Sequence, residues 1–265
     1  MTPLKPFVRD QGRGVAVVCL HSNASNSSQW RALSDLLSDR HRVIAVDGYG
    51  AGKSPEWPHD RLLRLDDEAR LVEAVLPDGG EPFHLVGHSY GGAVAMKLAT
   101  LHPQRLRSVV LYEPTLFHLV AGAEPLRSPA EGIWRAASDA AQAIERGDSA
   151  AAAERFIDFW MGHGSWAAMP EPRKTAVAGS MRHVGRWRDT LFGETAPVSA
   201  FASLDVPVLC LWGDASPASA LAVVRALTDT LPRVTSAPQR GLGHMGPITH
   251  PDAVNAQIAA FLARH

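Results

Sequence analysis

Short apolar runs alternate with segments of helical periodicity along most of this chain. Several of these runs are almost continuously apolar, which is typical of strands covered on both faces of a parallel sheet. Six runs are therefore predicted to be strands: Val15–Leu20, Arg42–Val46, Phe83–Val86, Ser108–Tyr112, Val206–Trp212 and Arg233–Ser236.

Helical segments lie between the strand candidates. In one of them Leu71, Val72, Val75 and Leu76 recur at the spacing of a single buried helical face. Regular alternation of strands with helices predicts an α/β fold, with an open, mostly parallel sheet and helices on both of its faces. The predicted helices are Ser28–Leu37, Leu65–Leu76, Tyr90–Leu101, Ser219–Leu231 and Asp252–Ala263.

The alternation stops between residues 115 and 197, where alanine-rich helical segments replace the strand pattern. We predict that residues 1–114 and 198–265 form the core, and that residues 115–197 form an inserted helical cap over the carboxyl edge of the sheet. Four of the seven tryptophans lie in this insertion. Helix packing is the alternative explanation for each, but substrate pockets are largely apolar. The predicted pocket residues are Trp134, Trp160, Trp166 and His163.

Composition and charge exclude several classes of protein. The chain has 265 residues, of which 46% are hydrophobic, and a formal net charge of −1. Without long basic runs, binding to nucleic acid or to a membrane surface is not expected. The first six residues contain no apolar signal region, and no run approaches the length of a membrane span. Cys19 and Cys210 each lie in an apolar strand pattern, which indicates buried thiols. We therefore expect a cytoplasmic protein. The sequence does not indicate which oligomeric state it adopts.

The segment around Ser89 carries the strongest chemical signal. An apolar strand leads into the turn Gly87-His88-Ser89-Tyr90-Gly91, and a helical segment follows at once. This is the context in which a serine is held out on a tight turn as a nucleophile. The glycines allow the sharp bend and close helix packing. The free N–H groups at the start of the helix favour negative charge beside the serine.

A serine nucleophile needs a base, and His244 is the candidate. It lies in a glycine-rich loop after the last predicted strand and just before the final helix. The chain order of serine, acid and histidine is the order expected for this architecture. Other histidines lie inside the elbow, at strand or helix ends, or in the insertion.

Taken together, these motifs resemble those of the α/β-hydrolase family over nearly the whole chain. The resemblance is carried by His21–Asn23, the loop 47–54, the Ser89 elbow and Gly243-His244. It implies a mostly parallel sheet of eight strands, a nucleophile–acid–histidine triad and, often, a helical cap. The similarity is closest to the capped branch, which includes dehalogenases, epoxide hydrolases, carbon–carbon bond hydrolases and esterases. Serine in place of aspartate at the nucleophile position argues against the first two activities.

The predicted oxyanion hole departs from the family pattern at one position. The family usually has His-Gly at the first of these motifs, whereas this chain has Ser22 after the histidine. The expected donors are the backbone N–H groups of Asn23 and Tyr90. Ser22 either adds a further contact or only caps the loop.

Two residues are candidates for the acid of the triad. Family members commonly carry it three residues after the glycine that ends the penultimate predicted strand. Here that glycine is Gly213, and the third residue after it is Ser216, which cannot serve as the acid. Asp214 lies next to the glycine. Glu113, directly after the fourth predicted strand, is the alternative, and we favour it because some relatives carry their acid at that strand end.

The function predicted from the sequence is that of a serine hydrolase, either esterase-like or cleaving carbon–carbon bonds. Ser89 attacks a small, partly apolar carbonyl substrate, His244 is the base, and Glu113 or Asp214 orients it. No metal or organic cofactor is required. Two other classes remain open, a lyase of the same fold and a small-molecule receptor with vestigial hydrolysis.

Overall fold

The computed structural model of the protein describes residues 4–265, so part of the N-terminal segment predicted to lack a signal region lies outside the described residues. The described chain contains one sheet. Each of the six strands predicted from apolar runs is present; β2 has the predicted bounds, and the ends of the other strands shift by no more than three residues. The strands are β1 Val8–Gly12, β2 Val15–Leu20, β3 His41–Val46, β4 Phe83–His88, β5 Leu106–Tyr112, β6 Val208–Gly213 and β7 Val234–Gln239.

The sheet has the strand order β1-β3-β2-β4-β5-β6-β7. Only β1 runs antiparallel to its neighbour, β3, and every other pair is parallel. The prediction of a mostly parallel α/β sheet is confirmed. The expected count of eight strands is wrong for residues 4–265, which form seven. The count of eight came from the family resemblance alone, because the sequence contains no apolar run that would mark an eighth strand.

Helices connect the parallel strands and cover both faces of the sheet. The five helices predicted outside the insertion are all present, and the helix after Ser89 has the predicted bounds. The helices are α1 Arg31–Leu37, α2 Leu65–Glu73, α3 Tyr90–Leu101, α4 His118–Ala121, α5 Glu131–Glu145, α6 Ser149–Met161, α7 Glu171–Ser180, α8 Val184–Phe192, α9 Ala218–Thr228, α10 Gly246–Thr249 and α11 Pro251–Leu262.

The core lies in two layers, one on each face of the sheet. In β2, Val17 and Cys19 belong to a cluster formed with α1 and α11, whereas Ala16 and Val18 belong to one formed with α2, α3 and α9. Alternate residues of a strand point to opposite faces, so a strand buried on both sides must be apolar at every position. This explains why the central strands were recognisable as continuous apolar runs.

The segment between β5 and β6 contains helices α4 to α8 and no strand. Alanines on one face of α5, including Ala136, Ala137 and Ala140, are buried. Since their side chains are small, they let α6 and α8 approach closely, and both helices contact α5. The apolar cluster of this segment is continuous with the core layer formed by α2, α3 and α9.

No helix within residues 4–265 combines the length and the apolar character that crossing a lipid bilayer requires.

Candidate active site

Ser89 lies on the tight turn between β4 and α3. Its backbone has φ of +56°, a conformation that L residues rarely adopt. A side chain on Gly87 would meet the Gly91 carbonyl oxygen at 2.6 Å, and one on Gly91 would overlap the Leu20 carbonyl. The Ser89 N–H donates to the Tyr112 carbonyl over 3.0 Å. These close contacts and this hydrogen bond therefore hold the turn in its strained backbone conformation.

Three side chains from distant parts of the chain meet at this turn. The Oγ of Ser89 lies 2.9 Å from Nε2 of His244, and Nδ1 of His244 lies 2.7 Å from Oε2 of Glu113. A carboxylate only accepts, so the imidazole proton is on Nδ1 and Nε2 is free to accept from the hydroxyl. All three residues are buried. Residues separated by 155 and 131 positions in sequence are thus in hydrogen-bond contact.

The carboxylate of Glu113 is held by two further donors. Its Oε1 accepts from the Gly213 N–H over 2.7 Å and from the Ser216 hydroxyl over 2.6 Å. Asp214, the alternative acid, is exposed and accepts from the Gly241 N–H over 2.7 Å. The structure therefore brings Glu113 to His244 and directs Asp214 into the neighbouring loop.

Of the two predicted oxyanion donors, Tyr90 directly follows Ser89, and Asn23 lines the same small cavity as Ser89. Tyr90 is the first residue of α3, so its N–H has no acceptor within the helix. Among the described residues, neither this N–H nor that of Asn23 donates to another protein group. The Ser22 side chain is placed differently, because its N–H and its hydroxyl both donate to Oε1 of Gln29 over 3.1 Å. The structure does not bring the Ser22 hydroxyl to Ser89.

The cavity that reaches Ser89 is small, at about 20 Å³, which is close to the room that one water molecule needs. Trp160 and Trp187 form part of its wall together with Asn23. The Trp160 indole also lies on the His244 imidazole, with ring centroids 3.8 Å apart and 21° between the planes. The site is thus roofed by aromatic side chains from α6 and α8.

The other predicted pocket residues lie elsewhere. Trp134 packs against Phe192, Trp166 lies under the Lys174 ammonium, and the His163 side chain is fully exposed. None of the three lines the cavity at Ser89. The structure therefore brings only Trp160, of the four, to the site.

A larger chamber of about 310 Å³ shares Asn23 and Trp187 with the cavity at Ser89. Glu68 lines it, and its carboxyl group accepts from the Tyr49 N–H and from the Tyr90 hydroxyl, each over 3.2 Å. Burial raises the pKa of Glu68 to about 7. His183 also lines the chamber, and burial lowers the pKa of its imidazole to about 4. This chamber offers hydrogen-bonding groups next to Asn23 and Tyr90, the predicted oxyanion donors.

A groove of about 550 Å³ shares residues 23–26 with this chamber. It shares Trp160 and Phe156 with the cavity at Ser89. Much of its wall is apolar, with Met161, Met169, Met245 and Ile248 among the lining residues. The residues described contain no cluster of three His, Cys, Asp or Glu side chains that could hold a metal ion.

The fold and the geometry at Ser89 agree with a match to a known family. The model of the alpha/beta hydrolase family matches residues 17–257, which is most of the chain, and the chain belongs to this family. The resemblance inferred from the sequence motifs is confirmed.

Individual relatives match over shorter segments. The pimeloyl-[acyl-carrier protein] methyl ester esterase of Aeromonas hydrophila subsp. hydrophila is 39% identical over 99 residues, which are 37% of this chain and 37% of that protein. The cis-3-alkyl-4-alkyloxetan-2-one decarboxylase of Shewanella oneidensis is 33% identical over 115 residues, 42% of this chain and 36% of that protein. The matches span less than half the length of these curated relatives.

Among solved structures, a thermophilic esterase from Thermogutta terrifontis is similar to this chain with a TM-score of 0.79. The superposition covers 98% of this chain and 93% of that one, at 21% sequence identity. At this identity the comparison establishes the shared fold.

Sequence reasoning missed several residues of the site. Ser216 cannot serve as the acid, yet it occupies the position where family members commonly carry theirs, and its hydroxyl contacts the carboxylate of Glu113. Gln29 had no signal of its own, since no motif includes it and its contact with His88 joins residues 59 positions apart. Trp187 and Glu68 lie in helical patterns that indicate only which face is buried.

Proposed function

We propose that this protein is a serine hydrolase that cleaves small carboxylic esters through an acyl-enzyme. The observation that carries the proposal is the continuous contact from Ser89 Oγ through the His244 imidazole to the Glu113 carboxylate. Family membership supports it, as do the esterases among the related proteins. Asp214 has no part in this mechanism, because its carboxylate is bound to the Gly241 N–H.

In the first half of the reaction, Ser89 Oγ attacks the ester carbonyl and its proton passes to Nε2 of His244. Glu113 keeps the second imidazole proton on Nδ1 and stabilises the imidazolium that forms. The Asn23 and Tyr90 N–H groups donate to the oxyanion. Each such donor contributes about 3 kcal/mol in comparable sites. The imidazolium then protonates the departing alcohol, which leaves an acyl group on Ser89.

In the second half, water attacks the acyl carbonyl while Nε2 of His244 accepts its proton. The proton returns to Ser89 Oγ as the carboxylic acid leaves. One ester and one water thus give one acid and one alcohol, and no metal or organic cofactor takes part.

Residues 115–197 act as a cap over the catalytic residues in this proposal, with residues 1–114 and 198–265 as the core. The stack of Trp160 on His244 and the place of Trp187 beside Ser89 support this role. The cap excludes water from the oxyanion, which strengthens its hydrogen bonds. The groove of about 550 Å³ leads substrate to Ser89, and the chamber of about 310 Å³ receives part of it.

The test is hydrolysis of p-nitrophenyl acetate and butyrate, with rapid quenching to trap the acyl-enzyme for mass measurement. We expect multiple turnovers and a mass increase of one acyl group located on Ser89. Ser89→Ala should abolish both, while the control Ser38→Ala, at a partly buried position that does not line the cavity at Ser89, should keep both. An active Ser89→Ala variant would refute the proposal. Folded protein that binds esters but does not hydrolyse them would favour a receptor. Cleavage of a carbonyl adduct with no acyl group on Ser89 would favour a lyase.

A further inference from the structure

Four residues form a hydrogen-bond chain between the oxyanion loop and the histidine loop. Gln29 Oε1 accepts from the N–H and the hydroxyl of Ser22, each over 3.1 Å. The Nε2 of Gln29 lies 3.1 Å from Nδ1 of His88, and Nε2 of His88 lies 2.8 Å from the carbonyl oxygen of His244. We call these contacts the Ser22–His244 chain. It links two loops that each carry a proposed catalytic group.

Only one arrangement of protons satisfies the Ser22–His244 chain. The Ser22 N–H can only donate, so the amide oxygen of Gln29 must face it and the amide nitrogen must face His88. Nδ1 of His88 therefore accepts, and its single ring proton is on Nε2. The carbonyl of His244 can only accept, which matches that proton.

The surroundings of His88 keep this arrangement in place. The residue has no exposed surface, and burial lowers the pKa of its imidazole well below the ordinary value. The nearby His244 ring, with its centroid 5.2 Å away, acts in the same direction. His88 therefore stays neutral, and a neutral imidazole is the only form that both accepts and donates.

We propose that Gln29 and His88 are positioning residues, which set the distance between the oxyanion donor of Asn23 and the imidazole of His244. Asn23 directly follows Ser22, so the direction of its N–H depends on how Ser22 is held. The carbonyl bound by His88 belongs to His244 itself. The inference rests on the proposed function. It assigns a role to Ser22, whose contacts with Gln29 fix the loop at the position where the family usually has glycine.

Gln29→Glu is the sharpest test, because it replaces one N–H donor without changing the shape of the side chain. The carboxylate still accepts from Ser22 but has no proton for Nδ1 of His88. A neutral His88 would then place its ring proton on Nδ1, which leaves a lone pair of Nε2 facing the His244 carbonyl, whereas a protonated His88 would place a cation beside the His244 imidazole and oppose its protonation during acylation. We expect kcat for p-nitrophenyl butyrate to fall by about 10²-fold with KM within about twofold, since small displacements of reacting groups cost rates of this order.

Two variants at His88 separate hydrogen bonding from packing. His88→Leu removes both bonds and should lower kcat as Gln29→Glu does. His88→Gln offers an acceptor and a donor at a similar separation to the ring nitrogens, so it should retain most of the activity. The NMR signal of the proton on Nδ1 of His244 is expected at low field. Its chemical shift should change in Gln29→Glu and His88→Leu and should keep its wild-type value in His88→Gln.

Ser34→Ala is the matched control, because it removes another buried hydrogen bond, from Ser34 to the Trp30 carbonyl, outside the Ser22–His244 chain. It should lower the melting temperature without changing kcat. If Gln29→Glu folds and keeps kcat within about twofold of wild type, the inference is overturned. If His88→Leu does not fold, Gln29→Glu and Ser22→Ala decide the question. Wild type that fails to hydrolyse esters, or an active Ser89→Ala, would instead refute the proposed function.

Discussion

The hydroxyl of Ser216 donates to Oε1 of Glu113 over 2.6 Å, while the other carboxylate oxygen accepts from His244 over 2.7 Å. One carboxylate oxygen is thus bound to the turn after β6, and the other is bound to the imidazole. A hydrogen bond to a charged group contributes about 1.5–3 kcal/mol. Ser216 therefore helps to hold the acid in the orientation that Ser89 and His244 require.

Removing this hydroxyl should weaken catalysis without preventing substrate binding. For Ser216→Ala we expect a fall in kcat of about tenfold with KM little changed, because the Gly213 N–H still holds Glu113. Steady-state hydrolysis of p-nitrophenyl butyrate measures both constants. Asp214→Asn, in the same turn, is the control and should match wild type. A normal kcat in Ser216→Ala would show that the hydroxyl has no such role.

The stack of Trp160 on His244 predicts a second effect on rate. The face of an aromatic ring stabilises a nearby cation by about 1 kcal/mol, and the imidazole becomes a cation during acylation. Trp160→Leu should lower kcat about fivefold, and Trp160→Phe should lose less. Trp166→Leu, in the same segment but away from the cavity at Ser89, should have no effect on kcat. Equal rates for Trp160→Leu and wild type would contradict this account.

Trp187 lines both the cavity at Ser89 and the chamber of about 310 Å³, and we infer that its indole forms a wall between them. Trp187→Leu should open this wall and admit longer acyl groups. Each buried methylene contributes about 0.8 kcal/mol, so the ratio of kcat/KM for butyrate over acetate should rise about tenfold. Trp134→Leu, which lies outside this wall, should leave the ratio unchanged. A ratio that falls, or that rises equally in both variants, would contradict this placement of the chamber.

The buried carboxyl group of Glu68 predicts how stability depends on pH. Its pKa is raised from 4.5 to about 7 in the folded protein, so the folded state binds more protons than the unfolded state between these values. The Glu68 contribution to the free energy of unfolding therefore decreases as pH rises through this window.

The matched variant is Glu68→Gln, which has no proton to lose. Its free energy of unfolding, relative to wild type, should increase by up to about 3 kcal/mol between pH 4 and pH 8. Urea denaturation at both pH values measures the difference. Glu81→Gln, at an exposed position, should show no such trend. A difference for Glu68→Gln that does not change with pH would refute the raised pKa.

The parts of the site that local sequence predicted are those built from neighbouring residues. The Ser89 elbow is specified by Gly87, Gly91 and the strand and helix around them, so a few residues suffice to recognise it. The edge strand β1 had no such signal, because four of its five residues are exposed and it pairs with the sheet on one side only. Without a continuous apolar run, its residues do not stand out from a loop.

The sequence favours Glu113 over Asp214 only through the family resemblance, and local sequence does not distinguish them. Both follow a parallel strand, and both lie at the same edge of the sheet. The difference arises from backbone direction: Glu113 has φ of +43°, and its N–H is bound to the Leu211 carbonyl of the neighbouring strand. Such a contact between strands depends on the assembled sheet. The same holds for Gln29 and His88, which are 59 residues apart.

The most direct measurement is the rate at which a fluorophosphonate probe labels the intact protein, since this reaction needs an activated serine but no particular substrate. The account predicts one label on Ser89 in the wild type and none in Ser89→Ala. Glu113→Gln should slow labelling by at least about 10²-fold, because the imidazole loses its orienting carboxylate. Asp214→Asn should label at the wild-type rate. Slow labelling of Asp214→Asn together with normal labelling of Glu113→Gln, or a label that persists in Ser89→Ala, would contradict the account.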